Sequence, residues 1–116
     1  MDILGYVNNK QKKNLLAPAP NNEFEKAIVT VCMELSETLI KKNRDYGDSY
    51  GKLKEEYKDL ALIIRQSDKL ERLKTLQKQG NLVNESMTDT KKDGAGYYIL
   101  DLAYERVNKS LEGGDI

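Results

Sequence analysis

Residues 84–100 read NESMTDTKKDGAGYYIL. The stretch opens a helix expected to run from residue 85 to about 111, yet Glu85, Asp89 and Asp93 fall at i, i+4 and i+8, on one line along it. At about 100° per residue that line continues into Gly96, Ile99, Leu100, Ala103 and Val107, so the expected core stripe begins acidic and ends apolar. The preceding segment, residues 59–78, has the opposite order. Its apolar positions are Leu60, Ile63, Ile64, Leu70 and Leu73, and its expected core stripe runs Leu60, Ile64, Asp68, Glu71, Thr75.

Only residues 79–84 join the two segments, and Gly80 and Asn81 stop the first of them. A connection that short predicts an antiparallel hairpin, with Asp68 and Glu71 brought against Asp89 and Asp93. Converging carboxylates away from water cost several kcal/mol unless protons or cations neutralise them, by about the amounts known for buried charge. Oxygen ligands alone suit Mg²⁺ or Mn²⁺ rather than zinc or copper, which makes Asp68, Glu71, Glu85, Asp89 and Asp93 candidate metal ligands. The same acids have other uses. Acids in a first turn gain about 0.3–1 kcal/mol from the helix dipole, Asp68 can pair with Arg72 at i+4, and acidic helix faces are commonly solvated.

Working outward, residues 23–42 place Phe24, Ile28, Val31, Cys32, Leu35 and Leu39 at helical spacing, with Asn22 positioned to cap the first turn. Residues 42–50, KNRDYGDSY, contain the glycine and short polar residues that end a helix and turn the chain. A short helix is expected over residues 50–57. Residues 1–22 lack a helical period, carry Lys10, Lys12 and Lys13, and close on APAP before two asparagines, so they read as an extended arm. Strand-type alternation and internal repeats are absent. The prediction is an all-α chain, an antiparallel bundle of about four helices over residues 23–112 behind an arm at 1–22.

Composition narrows the chemistry. The chain has 116 residues, 39% of them apolar, and a mean hydropathy of −0.69, little core for its length, so association with further copies of itself is expected. Nineteen basic and nineteen acidic residues cancel, which gives no general field for gripping duplex nucleic acid. Histidine and tryptophan are absent, and with histidine go the serine and cysteine triads and histidine-bound metals. The lone Cys32 reads as a structural thiol in a reducing, cytoplasmic setting. No apolar run reaches the ~18 residues of a membrane span, so no membrane partner is expected.

Three blocks, residues 42–50 (KNRDYGDSY), 62–76 (LIIRQSDKLERLKTL) and 84–97 (NESMTDTKKDGAGY), occur in an order and spacing that resembles the nucleotide modification associated domain family, a helical domain common in phages. That domain in turn resembles the MazG-like, all-α nucleoside triphosphate pyrophosphohydrolases. The resemblance covers roughly residues 24–108. It implies a Mg²⁺ site holding a triphosphate, with Asp68 and Glu71 standing in the first acidic pair and Asp93 at the last acidic position, these three being the catalytic candidates. The chain departs from the MazG-like pattern at Thr90, where a glutamate is expected, at Lys91 and Lys92, where two leucines are usual, and at Gly94.

Arg65, Lys69, Arg72, Lys91 and Lys92 surround these acids and would meet phosphate or form ordinary salt bridges. Gly94 and Gly96 each cost about 1 kcal/mol relative to alanine within a helix, so a ligand or a neighbouring helix is expected to come close there. Tyr46 and Tyr50, with Asp48 between them in the turn, and Tyr97 on the last helix are candidates for contact with a base. The expected ligand is a nucleotide or a nucleotide-derived small molecule. Three readings remain open: Mg²⁺-dependent hydrolysis to monophosphate and pyrophosphate, capture without turnover by a phage-type anti-defence protein that sequesters a nucleotide signal, and a structural or protein-interaction bundle without such a ligand.

Overall fold

A computed structural model describes residues 18–80 and 86–111. The arm expected at 1–22 therefore lies mostly outside the described residues, as do Glu85 and residues 112–116. Four helices make up almost all of the described chain: α1, Glu23–Tyr46; α2, Ser49–Tyr57; α3, Asp59–Gln79; α4, Met87–Leu111. No strand occurs among the described residues, and the all-α prediction holds. None of these helices is long and apolar enough to cross a membrane.

The chain divides into two compact units, Met1–Thr38 and Leu39–Ile116, with the boundary inside α1. In the first unit, Asn22 caps α1 as expected: its Oδ1 accepts from the Glu25 N–H at 2.8 Å, while Glu25 Oε1 accepts from the Asn21 N–H at 2.8 Å. This reciprocal pairing satisfies two backbone donors that the helix cannot reach itself. The apolar stripe behind the cap is not a core stripe, because Phe24, Ile28 and Val31 are exposed. Cys32 is exposed too, a correction to its reading as a buried structural thiol.

The second unit is built on α3 and α4, the most extensively packed pair, with α2 against both. The pair is antiparallel: Arg65 meets Tyr97, Gln66 meets Gly94 and Lys69 meets Asp93, so positions rise along one helix as they fall along the other. Gly47 and Asp48, both at positive φ (62° and 58°), turn the chain from α1 into α2. Asp48 tolerates that conformation, which short polar side chains visit more readily than others. Gly80 closes α3, its N–H returning to the Leu76 carbonyl at 3.0 Å.

Both helices are rotated from the expected stripes. On α3 the inward line is Ala61, Leu62, Gln66, Lys69, Leu73 and Leu76, while Leu60, Ile64, Asp68 and Glu71 are exposed. On α4 the inward line is Thr90, Asp93, Gly96, Tyr97, Leu100, Asp101 and Tyr104, with Asp89, Ile99, Ala103 and Val107 exposed. The rotation favours closeness over greasiness. Thr90 is wholly buried, Gln66 donates to the Gly94 carbonyl at 2.8 Å, and a Cβ on Gly96 would stand 2.9 Å from Leu39 Cδ2. These polar side chains tolerate burial because they find partners, Gln66 across the pair and Thr90 at the Ser86 carbonyl (3.1 Å), and unpartnered burial is what costs stability.

Candidate functional site

Leu39, Lys42, Asn43 and Tyr46 on the last turns of α1, Ser49 and Tyr50 at the start of α2, and Asp93, Gly96, Tyr97 and Leu100 on α4 enclose a cavity of about 280 Å³. The Tyr50 and Tyr97 rings form its aromatic wall, with centroids 5.7 Å apart and planes tilted by 43°. Tilted aromatic pairs of this kind are worth about 0.5–1.5 kcal/mol beyond the area they bury. The Arg65 guanidinium stands over Tyr97, 5.9 Å from the ring centroid, within range of an attraction between a cation and a ring face. Asp93 at the rim takes Lys69 at 3.2 Å and Lys42 at 3.8 Å. A wider hollow of about 650 Å³ shares Asn43, Tyr50 and Leu100 with this cavity and adds Arg44, Asp48, Tyr104 and Asn108.

Tyr50 is held from behind. Its hydroxyl donates to Asp101 Oδ1 at 2.9 Å, and the Lys54 ammonium, one helical turn on, lies 3.0 Å from the same oxygen. Lys54 also reaches Asp59 at 2.6 Å and Glu105 at 3.5 Å. Lys54 and Asp101 side chains are only 8% and 5% exposed, so a charged pair sits inside the small core. Burial, and then the hydrogen bond to Asp101, hold the Tyr50 hydroxyl protonated well above its ordinary value of 10.0. Burial alone would lower Lys54, but its hydrogen bonds with Asp59 and Asp101 outweigh it, and the ammonium is held above its ordinary 10.5.

Asp59, Asp101 and Glu105 each bring an oxygen within 4.8 Å of the others, an arrangement that could hold a metal ion. Hard oxygen donors at that spacing suit a divalent cation. In this structure the Lys54 ammonium is their common counter-ion, and Lys58 and Lys109 line a separate hollow together with Lys54 and Glu105. An ion entering among the three acids would have to share the carboxylates with a lysine or displace it.

No family model, curated protein or solved structure matches this chain. Its own geometry is therefore what bears on the residues singled out from sequence. Tyr46, Tyr50, Asp93, Gly96 and Tyr97 come together on the cavity, and Asp48 lines the hollow beside it. Arg65 and Lys69 reach it indirectly, through Tyr97 and Asp93. Asp68, Glu71 and Lys92 are exposed and line neither space, and Arg72 is half-buried elsewhere on α3. Among the described residues, Asp68, Glu71, Asp89 and Asp93 do not gather as a group of ligands; the acids that do are Asp59, Asp101 and Glu105.

Asp89 has a local use instead. Its N–H donates to Ser86 Oγ at 3.1 Å, and its Oδ2 accepts from the Ser86 N–H at 3.2 Å, a reciprocal cap on α4. Hydrogen bonding to the carboxylate from the Ser86 backbone N–H, and then from the Ser86 side chain, holds it below the usual aspartate value. Lys42, Asn43, Ser49, Lys54, Asp59, Asp101 and Glu105 were not among the sequence candidates. A signal existed for Asp101, an acid in the middle of the line Tyr97, Leu100, Tyr104, where only a partnered charge can be buried.

Proposed function

We propose that this chain is a nucleotide-binding helical protein of phage type whose ligand enters the cavity walled by Tyr50 and Tyr97. The observation that carries the reading is the braced aromatic pair opening on Lys42, Asn43, Ser49 and Asp93, an apolar wall beside a few directional polar groups. A base stacks on such rings with an affinity of about 1–3 kcal/mol, and Lys42 and Lys69, now on Asp93, supply positive charge for phosphate. The space is small beside typical ligand pockets of ~300–1,000 Å³, and the adjoining hollow gives a second nucleoside or a phosphate chain room to extend.

Capture without turnover is the form of this function we favour, as in a protein that sequesters a nucleotide-derived signal. Its support is the single acid, Asp93, on the cavity, already carrying two lysines, with Asp68 and Glu71 turned to solvent. Pyrophosphohydrolysis needs several carboxylates converging on Mg²⁺ beside the phosphates. A divalent ion, Mg²⁺ or Mn²⁺, belongs to this reading as the companion of a bound phosphate chain or as a rival of Lys54 for Asp59, Asp101 and Glu105.

Calorimetric titration with linear and cyclic nucleotides, with and without Mg²⁺, tests the proposal. Binding is expected for at least one class, with the ligand recovered intact and affinity reduced at least about tenfold in Tyr97→Ala. An empty panel defeats the reading, and pyrophosphate release would replace capture by hydrolysis.

A further inference from the structure

The charged side chains around the cavity and the adjoining hollow balance. Among the described residues, Lys42 and Arg44 are the cations lining these spaces, and Asp48, Glu55 and Asp93 are the anions. Lys69 evens the count from α3: it lies 3.2 Å from Asp93, which Lys42 approaches at 3.8 Å, so both lysines already face a carboxylate. Arg65 stands over Tyr97 and lines neither space.

The start of α2 adds no free anion site. Helix N-termini attract phosphate through unsatisfied N–H groups and a partial positive charge. Here the Asp48 carboxylate lies over the first turn, its Oδ2 and Oδ1 only 2.5 Å and 2.6 Å from where a Cβ on Gly51 would stand. A phosphate arriving there meets a carboxylate first. The remaining lining is neutral. Tyr50 and Tyr97 present ring faces, the Tyr50 hydroxyl being turned to Asp101, and Asn43, Ser49 and Asn108 supply amide and hydroxyl groups. Such groups match the edge of a base and the hydroxyls of a ribose without demanding charge.

We infer that this site takes a nucleoside, or a nucleotide carrying a single negative charge, and rejects polyphosphates. The inference rests on the nucleotide reading of the cavity and narrows it: the adjoining hollow receives a second nucleoside joined through one diester, not a phosphate chain. A terminal phosphate carries about −1.5 to −2 at neutral pH, and every phosphate between it and the ribose adds a further charge. Lys42 can turn to one diester while Lys69 stays on Asp93. Further negative charges find Asp48, Glu55 and Asp93 across the site, and like charges so placed exclude a ligand.

Calorimetric titration of the full chain without Mg²⁺ tests this on four compounds of each base: the nucleoside, the 3′,5′-cyclic monophosphate, the dinucleoside monophosphate and the triphosphate. The triphosphate should bind at least about tenfold more weakly than the tightest of the other three. Its affinity should not rise as salt is lowered from about 0.15 M to about 0.01 M. Asp93→Asn releases two lysines and should raise triphosphate affinity at least about tenfold, with helical circular dichroism retained. Should that variant unfold, Asp48→Asn, which keeps a residue suited to positive φ, decides in its place. A triphosphate that binds as tightly as the low-charge compounds, that tightens steeply as salt falls, or that is indifferent to both substitutions overturns the inference and leaves the nucleotide reading standing. No binding by any of the four defeats that reading, and this inference with it.

Discussion

Asp89 and Asp93 stand in the first turns of α4, Asp101 and Glu105 in its later turns, and the two sets have different fates. Asp89 stays at the surface and caps its own helix, and Asp93 takes two lysines at a cavity rim. Asp101 is buried, holds the Tyr50 hydroxyl, and joins Asp59 and Glu105 on one lysine from α2. Both sets show helical spacing in sequence. What separates them is depth: Asp93 meets Lys42 and Lys69 at a half-exposed rim, whereas Asp101 meets Lys54 inside the core, and spacing within α4 reveals neither outcome. An acid in a first turn has backbone N–H groups to satisfy and needs no tertiary partner. An acid amid buried aromatics has no such local solution.

Removing Lys54 breaks the comparison most directly. Lys54→Met strands Asp101 in the core, and the expected loss is about 3–5 kcal/mol, the usual cost of breaking a buried pair from one side. Urea unfolding measures it, and the double change with Asp101→Asn should recover a large part. An equal loss in single and double variants would mean that the lysine stem, and not its charge, matters here.

Alkaline pH probes the same cluster in the intact chain. The folded state keeps protons on Tyr50 and Lys54 above 10.0 and 10.5, where an unfolded chain gives them up. Their contribution is thus complete below those values and is lost as pH rises beyond them toward the folded-state values. Unfolding midpoints followed from neutral pH to pH about 11 should fall at the alkaline end, and less steeply in Tyr50→Phe. Parallel curves for the two proteins would contradict the assignment.

At the other end of α4 the expected effects shrink. Ser86→Ala removes one half of the cap and should cost about 1 kcal/mol, with hydrogen exchange faster in the first turn of α4 only. Asp68→Asn and Glu71→Gln, being solvated, should each change stability by no more than about 0.5 kcal/mol and leave any response to Mg²⁺ as it was. A larger change at Asp68 or Glu71 would return these acids to the list of ligands and erase the contrast between the two ends.

Much of the architecture was legible in the sequence. The apolar periods, the Gly47 and Gly80 stops and the Asn22 cap mark all four helices to within a few residues, and the short connection predicts the antiparallel pair. The facing sides were not legible, because α3 offers two apolar lines and the broader one, through Leu60, Ile63, Ile64 and Leu70, stays outside. The cavity was partly visible: tyrosines in the turn and on α4, and a glycine at 96, pointed to it. Lys42 and Asn43 looked like ordinary helix-end residues, and Lys54 like one more surface lysine.

By itself, then, the sequence determined where the chain is helical and where it turns, because hydrogen bonding and capping within a helix are satisfied by neighbours a few residues away. Tertiary structure alone decided which acids meet a cation and which aromatics enclose a space. Those outcomes depend on the rotation of each helix about its axis. That rotation is set by close fit at Thr90 and Gly96 and by partnered polar groups, which local spacing does not encode.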